Sequence, residues 1–139
     1  MENVDMMKQM MKQAIGMTDE DFKIFISFPQ NRQSGNGTAE LMKYKIIAEV
    51  TEAKYCTAGL KKGQKFTFKT IPSVLMPEES DCPPCTRALA PLGSMLADLW
   101  EKIAKGEIKE SRVVECLDPG VTKGGLGHVT FKVYIKKIE

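Results

Sequence analysis

No stretch of this chain approaches the ~18 consecutive apolar residues that a helix needs to cross a bilayer. Nor does its start, Met1-Glu2-Asn3-Val4-Asp5, lead into the apolar run of a secretion signal. Both absences predict a cytoplasmic protein with no membrane partner. An excess of charge is missing too. Lys plus Arg is 20 and Asp plus Glu is 18, a net charge of +2, so nothing marks a nucleic-acid-binding surface. The pairs Lys61-Lys62 and Lys136-Lys137 read as solvated ends of elements. No internal repeat occurs, and no low-complexity tract beyond a short Gly/Asn loop. No Ser/His/Asp order is readable, and the acidic runs Glu78-Glu79 and Asp19-Glu20-Asp21 read as solvation and capping. Histidine occurs once, as His128.

What remains is ordinary in bulk and unusual in detail. A chain of 139 residues suits one domain, and a hydrophobic fraction of 42% supplies a core. Nine methionines are many for this length, and five fall in the first eleven residues. Met7, Met10, Met11, Ala14 and Ile15 lie at helical spacing over residues 4–15, and Gly16 stops the pattern. Flexible, polarizable Met side chains adapt to imperfect surfaces. The helix therefore either packs on its own domain or serves a protein partner or self-association. Thr18-Asp19-Glu20-Asp21 begins a second short helix with a capping residue and an acidic first turn. That helix ends near Pro29. The stretch from Gln30 to Thr38 reads as a flexible loop and the main internal boundary. It divides an N-terminal helical extension, residues 1–37, from a cysteine-containing domain, residues 38–139.

Beyond Lys43 the period changes. Strands are predicted over Tyr44–Val50, Gln64–Lys69, Arg112–Cys116 and from Val129, where Val129, Phe131, Val133 and Ile135 alternate with polar residues. Ile71–Ser80, broken by Pro72 and Pro77, reads as irregular. Between the strand pairs, Thr86–Lys105 carries a wide apolar stripe of Leu89, Leu92, Met95, Leu96, Leu99, Trp100 and Ile103. Pro91 marks either a kink in this helix or its regular start. Gly106 closes it. Strands in close sequence pairs exclude repeated βαβ units. They predict an α+β fold: a small antiparallel sheet with one long helix packed on it, plus the N-terminal helical extension.

The chemistry lies in four cysteines, Cys56, Cys82, Cys85 and Cys116. Cytoplasmic thiols stay reduced, so they read as free, catalytic or metal-binding rather than as two disulfides. Cys82-Pro83-Pro84-Cys85 opens the long helix. Its spacing lets two sulfurs meet one metal ion or iron–sulfur cluster, and zinc and iron both accept thiolates. Cys56 and Cys116 lie at strand ends, where they can meet the helix head. The candidate metal set is therefore Cys56, Cys82, Cys85 and Cys116, with His128 as a further ligand or an acid/base group, and the same cysteine-lined site could instead take a small ligand. A second C-x-x-C is absent. Two other readings stay open: a cysteine- or dithiol-dependent enzyme with His128 as base, and a non-catalytic interaction module with packing cysteines. Gly124-Gly125-Leu126-Gly127 reads as a tight turn or an anion-cradling nest. It lacks the Lys-Ser/Thr ending of a P-loop.

Tyr55-Cys56-Thr57-Ala58-Gly59-Leu60-Lys61-Lys62-Gly63-Gln64-Lys65-Phe66, Cys82-Pro83 with Ala88-Leu89-Ala90-Pro91, and Cys116-Leu117-Asp118-Pro119 resemble, as a set, motifs of a family of small uncharacterised bacterial and archaeal proteins. Gly124-Gly125-Leu126-Gly127-His128 resembles an ending found in its longer members. The resemblance covers residues 40 to 139 well and the N-terminal part loosely. It implies cysteines at Cys56, Cys82 and Cys116, with Cys85 an addition, and an accessory role in redox metabolism.

Overall fold

The computed structural model describes residues 2–29, 31–32, 40–70 and 73–139. Within them lie three helices and a four-stranded antiparallel sheet: α1 (Glu2–Ile15), α2 (Asp19–Ser27), β1 (Tyr44–Lys54), β2 (Lys65–Lys69), α3 (Thr86–Ala104), β3 (Ser111–Glu115) and β4 (His128–Lys137). This is the α+β fold that the order of elements predicts. No helix among the described residues is long and apolar enough to cross a membrane.

The sheet order is β2-β1-β4-β3. The period-2 pattern fixes which side is dry. Ile46 pairs with Phe68, Ala48 with Phe66 and Val133, Val50 with Phe131, and Phe131 in turn with Val114. These side chains form one inner face. The apolar stripe of α3, with Ala88, Leu92, Leu96, Leu99 and Ile103, covers it. Phe66 and Phe131 meet with ring centroids 5.9 Å apart at the centre. The core cluster draws no member from α1 or α2, and their buried residues Met7 and Phe22 lie outside it.

Boundaries differ from the sequence reading where tertiary contacts override local pattern. β1 runs on to Lys54, four residues past its β-branched stretch, because a bulge between Val50 and Glu52 lets it follow β4 to His128. The described part of the proline-broken segment after β2, residues 73–80, is more ordered than its composition suggests. Leu75 bridges Phe68, and Pro77–Glu79 forms a 3-10 turn. The cap at Thr18 forms as expected, its Oγ1 accepting the Asp21 amide at 3.1 Å. On α1, Met7 is buried, Met10 and Met11 are half-buried and Met6 is exposed. Of the loop read from Gln30 to Thr38, only Asn31 and Arg32 are among the described residues, and both are helical, their amides on the Phe28 carbonyl.

Candidate functional site

Pro91 does not mark the start of α3. The helix runs unbroken from Thr86, with Pro91 inside it. A proline has no N–H, so it leaves the carbonyl four residues earlier without its helical partner. That carbonyl belongs to Arg87. It accepts instead the amide of Leu117 at 3.0 Å. The proline thus frees the group that ties the exit of β3 to the head of α3, directly beside Cys116.

The glycine loop is held on the other side of the head. Asp118, which follows that exit, folds its carboxylate back into the loop. Its Oδ1 accepts the amides of Gly120 and Leu126, each at 3.0 Å, and Oδ2 accepts Gly127 at 3.0 Å. Arg87 approaches Oδ2 at 3.6 Å. Hydrogen bonds from these amides hold the Asp118 carboxyl below its ordinary 3.8, and Arg87 adds to the effect. The glycines are there for room. A Cβ on Gly127 would lie 2.3 Å from the Tyr55 carbonyl, and one on Gly125 would lie 2.2 Å from Asp118 Oδ1. The loop therefore packs its backbone against Tyr55 and Cys56. Tyr55 itself turns the chain there with φ of +53°, and Lys54 lies 5.3 Å from the centre of its ring.

Between these walls is a small pocket lined by Cys56, Leu60, Cys85, Arg87, Cys116 and His128, among others. Its cavity volume is about 30 Å³. Cys85 is the N-cap residue of α3, and its side chain makes no capping bond. Cys116 has the most defined thiol. Its Sγ accepts the Val129 amide at 3.3 Å and lies 3.6 Å from the Asp118 carbonyl, to which the S–H donates. All four cysteines are free thiols.

Cys82 is placed differently from its partner in the C-x-x-C pair. It is only 7% exposed and belongs to the hydrophobic core cluster. Its amide reaches the Lys65 carbonyl, which turns the segment toward β2 rather than toward the pocket. Burial pushes its thiol from an ordinary 9.0 up to about 12, and Asp81 and Cys56 add to the effect. The C-x-x-C therefore divides between two environments: Cys82 packs inside and Cys85 faces the pocket. Cys85, the cysteine beyond the resembled family pattern, is the one that joins Cys56 and Cys116.

His128 lines the same pocket with both ring nitrogens occupied. Nδ1 donates to the Asp118 carbonyl at 2.6 Å, and Nε2 lies 3.1 Å from Glu115 Oε1. A carbonyl and a carboxylate both accept, so both nitrogens are suited to carry protons. The Asp118 carbonyl first and Glu115 second raise the His128 pKa above 6.5. The ring clamps the ends of β3 and β4 together.

Sequence reasoning missed Asp118 and Arg87. Asp118 entered only within Cys116-Leu117-Asp118-Pro119, and Arg87 not at all. A signal was present: an aspartate just before a glycine-rich loop can gather several of the loop's amides. Among the described residues, no three His, Cys, Asp or Glu groups are disposed as they stand to share one metal ion. Fold and pocket together define a class, a small α+β protein with a thiol-lined pocket at the head of its main helix. No family model, curated protein or solved structure matches this chain.

Proposed function

We propose that this protein is a small accessory protein that binds one soft metal ion through Cys56, Cys85 and Cys116. The carrying observation is that these three thiols, from three separated segments, line one pocket. The donor chemistry suits a thiophilic ion: thiolates favour zinc, iron and copper(I) over hard cations. The ligand count favours a single ion over an iron–sulfur cluster, since a cluster ordinarily takes four cysteines and three line the pocket. The thiols do not converge on a common centre as they stand. Binding would turn their half-buried side chains inward and release their protons.

The reading with His128 as base has less support. Its Nδ1–H is committed to a carbonyl and its Nε2 to Glu115, so no lone pair faces a cysteine while both contacts hold. In its protonated form the ring would place positive charge at the pocket wall, where it would offset part of the charge of a thiolate-bound ion.

Elemental analysis and a visible spectrum on tag-free protein prepared without oxygen test the proposal. About one metal ion per chain is expected. Cys56→Ser, Cys85→Ser and Cys116→Ser should each abolish it, and Cys82→Ala should leave it in place. Metal-free protein with four reduced thiols, unable to take up zinc or copper(I) on titration, would overturn it.

A further inference from the structure

The two edges of the sheet are finished differently. On β2 the outward amides are all satisfied by the chain itself. Lys65 N–H bonds Asp81 Oδ1 at 2.6 Å, Thr67 N–H bonds Ser80 Oγ at 2.9 Å, and Lys69 N–H bonds the Val74 carbonyl at 2.9 Å. On β3, Arg112, Val114 and Cys116 pair inward with β4, in the register set by the Cys116 amide on the Val129 carbonyl at 2.9 Å. Backbone groups alternate along an antiparallel strand. Those of Ser111, Val113 and Glu115 therefore face away from the sheet. Among the described residues no main chain pairs with them; the Ser111 carbonyl accepts only Arg112 Nη1, at 3.1 Å. Val113, at the middle of this edge, is 72% exposed. Of the usual guards against pairing, the edge carries no proline, no bulge and no lysine; its charged residues are Arg112 and Glu115.

We infer that β3 pairs antiparallel with β3 of a second copy of this chain, about a two-fold axis through Val113. The occupant follows from the edge itself. Its outward groups belong to three residues centred on Val113, so the two-fold matches every donor with an acceptor. Val113 exchanges both bonds with Val113 of the second copy, and Ser111 does the same with Glu115. That register is also complementary in its side chains. Valine meets valine, and the one charged residue facing out, Glu115, meets a serine hydroxyl rather than another acid. Space is available as well. An open groove of about 650 Å³ runs beside the edge between α3 and β3, lined by Pro91, Ser94, Met95 and Asp98 on the helix side. The inward-facing Arg112 and Val114 of the second copy would lie over it. The result is a continuous eight-stranded sheet. Five-residue strands bury little area, so the association belongs among weak, concentration-dependent ones.

Sedimentation of the full chain over a concentration series, with hydrogen exchange at both ends of the series, tests this. The expected result is a reversible dimer at high concentration. The Ser111, Val113 and Glu115 amides should be protected only there, and those of Val114 and Cys116 at every concentration. Val113→Glu should weaken the dimer at least tenfold. Val113→Pro, which removes the N–H at the axis but none of the bonds to β4, should abolish it; circular dichroism reports whether each variant remains folded. A monomer at all concentrations up to about 1 mM, a dimer that survives both substitutions in folded protein, or a dimer in which those three amides stay unprotected would overturn the inference.

Discussion

At the scale of single residues, the four thiols separate by environment, and their reactivity should follow. Cys82 is buried and its pKa stands at about 12, so almost none is thiolate at neutral pH. Alkylation in native protein should modify Cys82 at least about tenfold more slowly than the slowest of Cys56, Cys85 and Cys116, read by mass spectrometry of the peptides. The same shift sets a pH limit. Because the folded-state value lies above 9.0, the contribution of the neutral thiol to stability is fully present below pH 9 and is lost as pH rises toward 12. Cys82→Ala should remove that alkaline dependence from urea unfolding curves. His128 has the same sign. Its folded pKa is raised above 6.5, so the clamp stabilises the fold below pH 6.5 and ceases to as pH rises through the folded value. As the sole histidine, it gives an unambiguous NMR titration. Glu115→Gln should lower its midpoint toward 6.5, because the charge partner of Nε2 is removed; an unchanged midpoint would show that the Glu115 contact is not made in solution. Spacing alone could make Cys82 and Cys85 converge. It could not reveal that Cys82 Sγ would be taken by the core, because that depends on where β2 lies beneath the segment.

At the scale of elements, the interior proline and the loop glycines serve the same region by different means. Pro91 gives up a helical hydrogen bond so that the Arg87 carbonyl can take Leu117. Pro91→Ala would restore the N–H and set the two donors in competition. The helix should gain stability, by about 1 kcal/mol or more against the ~3 kcal/mol cost of an interior proline. Cys116, beside Leu117, should become faster to alkylate. Stability and thiol protection moving in opposite directions would mark the proline as a positioning device; both rising together would contradict it. The glycines separate on another physical ground. Gly127→Ala places a methyl 2.3 Å from a backbone carbonyl, which the backbone must yield to, at a cost of ~1–3 kcal/mol. Gly124→Ala meets nothing within 4 Å but keeps a φ of +88°, a conformational cost of ~1–2 kcal/mol. Only the first should alter labelling of Cys56, since only that loop contact touches Cys56. The strands and the long helix were legible in the sequence because each buries a face with a fixed period. The four-residue extension of β1, the tether at Arg87 and the amide cluster around Asp118 were not. Each is a bond between segments far apart in the chain, and no local period encodes such a bond.

At the scale of the whole molecule, the pocket is a property of the assembled sheet and helix. Its lining comes from four segments between Cys56 and Val129, and every element that places them shares the core of Ile46, Phe66, Leu92, Leu99, Phe131 and Val133. The pocket cannot survive loss of that core, and local opening cannot expose Cys82 without disturbing it. Labelling of Cys82 in increasing urea should therefore rise at the same midpoint as the loss of far-ultraviolet circular dichroism, as a two-state domain requires. Cys85 should be modified well before that midpoint, since it needs no unfolding to be reached. The helices α1 and α2 contribute nothing to the core cluster, so a chain lacking residues 1–37 should keep the coincidence of the two transitions, with a midpoint shifted by less than that of Gly127→Ala. If Cys82 became reactive at low urea in the shortened chain, the N-terminal helices would be part of what closes the core, and the division of the chain between residues 37 and 38 would fail on physical grounds.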